Sequence, residues 1–181
     1  MKKFVLSRSR TYASVLAGGL GALLLTCASR SSAFDIGVIN TYFYETDPGK
    51  LDVGLSAMGR QEIFHYCDVG ARIGVMHSDA LDTDYFPFEV TAAAKYPFCD
   101  GHFVPFIGGF AGIKFFSEKY HNGESLGLNG GFDWRLGEEK KWSIFVEANY
   151  DFKDHVHFRT TNGEVQTGGG PGAALGITYR F

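Results

Sequence analysis

Acidic and basic side chains in this 181-residue chain recur at even spacings inside otherwise apolar runs. Residues two apart on an extended strand share a face. In the run 142–153, Glu147, Asp151 and Lys153 fall on one phase; in 125–136, Asp133 and Arg135 do; in 86–97, Glu89 and Lys95 do. The same reading puts Asp52, Arg60, Glu62, Asp68, Arg72, Lys114 and Arg180 on the polar phases of their own runs. Seven acids then oppose seven bases. Isolated charges on an enclosed face are expensive, so this balance predicts a paired network that ties strands together rather than an open ion path.

Other chemistry has weaker support. A serine nucleophile needs a base within hydrogen-bond reach. Ser125 and Ser143 lie on polar phases with no histidine two residues earlier, and His155-Val156-His157 is followed by Phe158-Arg159 rather than by a serine. No catalytic residue is assigned. With Asp151 and Asp154 nearby, the two histidines could form a divalent-metal site at the base of the last loop. Histidines in a polar loop are the commoner case, so neither a metal ligand nor a cofactor is assigned. Cys67 and Cys99 flank the third and fourth strands around a midpoint at 83, inside the link 78–84. A hairpin centred there would join them as a disulfide in an oxidising compartment, although strict alternation puts Cys67 outward and Cys99 inward.

The elements that must position these groups are strands. Eight runs keep a period of two to differing degrees: 36–45, 51–64, 68–77, 86–97, 102–116, 125–136, 142–153 and 173–181. The run 102–116 is aromatic and glycine-rich on both phases, which leaves the side of Lys114 unsettled. Short connections at 65–67, 99–101 and 137–140 alternate with longer ones at 46–50, 78–84, 117–123 and 154–169. Runs of this length suit tilted strands crossing a bilayer. Short turns on one side and longer loops on the other suit a barrel.

Residues 1–33 read as a signal peptide. Lys2, Lys3, Arg8 and Arg10 precede an uncharged stretch over 12–28, and Ser31-Ser32-Ala33 offers small residues for cleavage. Leu24-Leu25-Thr26-Cys27 is an imperfect competing lipoprotein site. Residues 34–181 then form one domain with 12 Lys plus Arg against 20 Asp plus Glu, a formal charge of −8. Such a balance excludes nucleic acid as a partner. No later stretch is apolar enough for a spanning helix, and only helices and closed barrels satisfy the backbone inside a membrane. The fold expected is all-β, an eight-stranded antiparallel up-and-down transmembrane β-barrel.

Phe103-Val104-Pro105-Phe106-Ile107-Gly108-Gly109-Phe110-Ala111-Gly112 and Leu175-Gly176-Ile177-Thr178-Tyr179-Arg180-Phe181 resemble two strands of the small OmpA-like and opacity-type outer-membrane barrels of bacteria. The resemblance implies a bacterial outer-membrane location among lipid and lipopolysaccharide. It also implies that Tyr179 and Phe181 serve as the signal to the barrel-assembly machinery. Nothing after the last strand corresponds to a peptidoglycan-binding domain, so cell-wall anchoring is not expected. The expected role is structural, in envelope integrity, with the loop 154–169 available to a surface or host ligand. A narrow porin-like diffusion channel is one alternative. A lipid A deacylase-like enzyme is another, without that enzyme's His-x-Ser pair.

Overall fold

The structure is a computed structural model that describes residues 33–45, 49–64, 66–79, 81–116, 122–152, 157–160, 163–166 and 169–181. The strands are β1 (Phe34–Glu45), β2 (Lys50–Phe64), β3 (Cys67–Ser78), β4 (Thr83–Lys95), β5 (Phe103–Phe116), β6 (Gly123–Leu136), β7 (Trp142–Asp151), β8 (His157–Thr160), β9 (Gly163–Gln166) and β10 (Pro171–Arg180). Eight of them close into a barrel in the order β1-β10-β7-β6-β5-β4-β3-β2, every pair antiparallel. The eight expected strands are these eight. The small hairpin β8–β9 is an addition, built inside what the sequence presents as the polar link 154–169.

Alternation sorts the side chains as the strand period requires. On β7, Ser143, Phe145 and Glu147 are buried while Trp142, Ile144, Ala148 and Tyr150 are exposed. The sort is inverted relative to a water-soluble protein: Ile107 and Ile177 on the outer wall are 70% and 58% exposed, whereas Asp52 and Glu147 inside are each 1% exposed. An apolar outer band with a polar interior is what a hydrocarbon surrounding demands. Aromatic rings mark the turn-side rim: Tyr66, Tyr96 and Phe98 stand in sequence at 5.8 and 4.8 Å, and Trp142, Tyr179 and Phe181 at 4.9 Å each. Phe110 settles the side that Lys114 takes, since Val104, Phe106, Phe110 and Lys114 of β5 are all buried in the lumen.

The turn between β4 and β5 corrects one expectation. Cys67 pairs with Ala94 and Ser78 with Thr83, so this hairpin is centred between residues 80 and 81 rather than at 83. Cys99 therefore lies five residues past the partner of Cys67, in a tight turn where Cys99, Asp100 and Gly101 all have positive φ (51°, 55° and 83°). Of the three residues, glycine alone adopts that conformation without steric cost. In place of the expected disulfide, both thiols are free and exposed.

The barrel closes by joining its first and last strands. Asp35 pairs with Arg180 in the β1–β10 register, and the Phe181 N–H donates to the Phe34 carbonyl at 2.9 Å.

Candidate functional site: a lumen divided into two halves

Inward side chains fill the barrel from end to end, as an eight-stranded cylinder permits. At the turn side, Arg180 grips Asp35 with two bonds (Nε to Oδ1 2.8 Å, Nη2 to Oδ2 3.0 Å). Arg60 donates to both oxygens of Asp133 at 3.0 and 2.9 Å and reaches Asp35 at 3.4 Å. Lys95 bridges Glu62 at 2.7 Å and Asp68 at 2.6 Å, and Arg180 lies 3.7 Å from Glu62. These contacts join four acids and three bases into one connected set. Arg135, partly exposed at the rim, completes four against four. Its Nη1 donates to the Gly101 carbonyl at 3.5 Å, and it forms no ion pair among the described residues.

Above this network lies a waist. Arg72 binds Glu147 end-on, Nη1 to Oε1 at 2.6 Å and Nη2 to Oε2, and Asn129 Nδ2 adds a bond to Glu147 at 2.8 Å. The ring of Phe145 lies under both the Arg60 guanidinium at 5.2 Å and that of Arg72 at 5.7 Å, and stacks on Phe106 at 5.5 Å. Ile39, Met58 and Ala174 pack with these two rings. The charges here are desolvated and matched, one acid to one base, and the apolar cluster leaves a void of about 10 Å³ beside them.

The loop-side half is organised differently. Lys114 Nζ stands 4.5 Å from the Phe43 ring centroid, 5.8 Å from that of Tyr85 and 3.5 Å from Asp151 Oδ2. The Tyr85 hydroxyl donates to Asp52 at 3.0 Å, and the Leu126 N–H donates to Asp151 at 3.1 Å. Glu89 sits opposite Arg72 in the β3–β4 register, beside a cavity of about 30 Å³ also lined by Phe43, Tyr85, Lys114 and Asp151. Its carboxylate makes no hydrogen bond and no ion pair among the described residues. Asp52, Glu89 and Asp151 lie on this side of the waist with Lys114, and Arg72 of the waist lines the same cavity.

All the charged positions assigned to the polar phases face the lumen except Lys153, which lies outside the described residues. Sequence reasoning missed Asp35, 6% exposed and central to the turn-side network. It precedes the run 36–45, although it shares the phase of Gly37 and Ile39. Counting it, and leaving out Lys153, the described lumen holds eight acids and six bases rather than seven of each. Ser125 and Ser143 are both buried, and neither hydroxyl bonds a histidine among the described residues. His155 and the side chain of His157, with the metal site considered for them, lie outside those residues. Beyond the barrel wall, Lys141 pairs with Glu139 at 2.7 Å in the β6–β7 turn and holds that carboxyl below the usual carboxylate range.

No protein-family model and no curated protein sequence matches the chain. Solved structures do match its fold. Neisserial surface protein A superposes with a TM-score of 0.59 at 11% identity, covering 84% of this chain and 98% of that one. The outer membrane protein OprG of Pseudomonas aeruginosa gives 0.54 at 13% identity, covering 84% and 97%. Ail, the attachment invasion locus protein of Yersinia pestis, gives 0.50 at 20% identity, covering 83% and 97%. The fold is that of the small outer-membrane β-barrels.

Proposed function

We propose that this chain is an exported bacterial outer-membrane protein, with residues 1–33 as its signal peptide, whose side-chain-filled lumen makes it a structural component of the envelope. The observation that carries this is the pairing of an apolar outer wall with a turn-side lumen blocked by a connected ion network. Buried ion pairs contribute little net stability compared with apolar packing of the same shape, but losing one partner is costly. A network of this kind therefore favours one closed arrangement. Lipid and lipopolysaccharide surround the wall, Tyr179 and Phe181 present the assembly signal, and the loops meet any surface ligand. We read the protein as non-enzymatic.

A diffusion channel is favoured by one observation, the surplus of acids over bases in the described lumen. That surplus lies on the loop side of the waist and ends at Phe145 and the turn-side network, which suits a vestibule better than a conduit. Planar-bilayer recording on the purified protein tests the choice. No stable conductance steps are expected, and steps that scale with salt would overturn the closed-lumen reading. Boiling should slow or speed migration of the folded band on a gel. A soluble periplasmic location would sink the membrane assignment altogether.

A further inference from the structure

Three buried polar atoms at the waist have no hydrogen-bond partner among the described residues: Arg60 Nε, Arg72 Nε and Asn129 Oδ1. The residues that carry them are 7%, 7% and 5% exposed, so bulk solvent does not answer them. All three residues line the cavity of about 10 Å³ beside Phe145. A buried polar group left without a partner is costly, which marks this space as a polar site rather than a packing fault.

The other ends of these side chains are already committed. Arg72 gives Nη1 and Nη2 to Glu147, and Arg60 gives Nη2 to Asp133 and Asp35. Asn129 donates from Nδ2 to Glu147 at 2.8 Å, and because an ionised carboxylate only accepts, that bond leaves Oδ1 as the open acceptor of the amide. The lining therefore carries two open donors and one open acceptor.

Those open groups sort the occupants. A halide only accepts, so it would leave Asn129 Oδ1 unanswered and would stand against Asp68 and Glu147 of the same lining. A cation would leave both Nε donors unanswered beside two guanidiniums. Water both accepts and donates, and a cavity of about 10 Å³ is at the lower limit for one water and admits nothing larger. We propose that the waist cavity is a binding site for one structural water, which accepts from Arg60 Nε and Arg72 Nε and donates to Asn129 Oδ1. The lining offers the Thr91 hydroxyl and the Asp68 carboxylate to its second proton. Bound there, the water links β2, β3 and β6, and joins the turn-side network, through Arg60, to the Arg72–Glu147 pair. The site goes beyond the envelope role and needs only the folded barrel.

The test is water–protein cross-relaxation on isotope-labelled protein in deuterated detergent micelles, read at the Hε protons of Arg60 and Arg72. Heat-dependent gel mobility certifies folding in every sample, so failure of the barrel assignment is seen separately. Rotating-frame cross-peaks between water and both Hε protons are expected, with the sign of dipolar contact rather than of proton exchange. Thr91→Val removes the lining hydroxyl that could relay such a signal and should keep both peaks. Ala93→Val extends a lining side chain into the cavity and should abolish both. Absence of the peaks in folded wild type, their loss in folded Thr91→Val, or their persistence in folded Ala93→Val would each overturn the proposal. So would movement of the Hε resonances when chloride is exchanged for sulfate at constant ionic strength, which would make the occupant a halide. If Ala93→Val does not fold, wild type and Thr91→Val decide.

Discussion

The two halves of the lumen are built from the same strands by the same alternation, yet they treat charge in opposite ways. On the turn side, three bases and four acids form one connected set in which every member has a partner within 4 Å, and Arg135 caps it at the rim. On the loop side, Lys114 shares its ammonium between Asp151 and two rings, while Glu89 stands apart. A matched network ties strands together, whereas the looser loop-side set has fewer ion pairs among the described residues. The contrast concentrates the ion-pair ties at the turn-side end of the barrel.

The contrast breaks most directly at Arg60. Arg60→Met strands Asp133 and weakens the hold on Asp35, and should destabilise the barrel by about 3–5 kcal/mol in denaturant unfolding from micelles. A loss below about 1 kcal/mol would mean that the network adds no rigidity. Asp133→Asn keeps the shape but removes one charge, and should cost about 2–4 kcal/mol in the same measurement. Gly112→Ala crowds Phe88, Glu89 and Ser125 and should cost about 1–3 kcal/mol. Glu89→Gln should change stability by less than about 1 kcal/mol, because no partner is left behind when the charge goes. If Glu89→Gln instead matches Asp133→Asn, the two halves are alike. The smallest effect is expected outside both: Cys67→Ser and Cys99→Ser should each stay within about 0.5 kcal/mol. Alkylation without prior reduction should label both thiols, read by mass.

Strand existence and facing were legible because β4, β6 and β7 each separate apolar from polar residues by phase. β5 was not legible, and the reason lies in another strand. Phe110 fits inside the barrel because Gly127 on β6 has no side chain: a Cβ there would run into the Phe110 ring. One strand's periodicity cannot report such a cross-strand vacancy. The candidate site was half legible for a similar reason. Phase shows that Arg60 and Asp133 point inward, but they are 73 residues apart and only the register unites them. Asp35 was missed because the inner face of β1, with Ile39 and Phe43 beside Thr41, lacks the polar signature of the other strands. The thiol pairing failed on a hairpin centre displaced by about two and a half residues, a shift that a count of loop residues cannot detect.

The seam between β1 and β10 has a consequence in time. Asp35 and Arg180 are 145 residues apart, so their two-bond grip forms only once almost the whole chain has been delivered. Until then every intermediate has two open sheet edges, and contacts of such long separation are slow to form. The last strand thus acts as a completion check: a chain truncated before Pro171 retains seven barrel strands with nothing to join the first to the last, and should accumulate as protease-sensitive aggregate rather than as a smaller barrel.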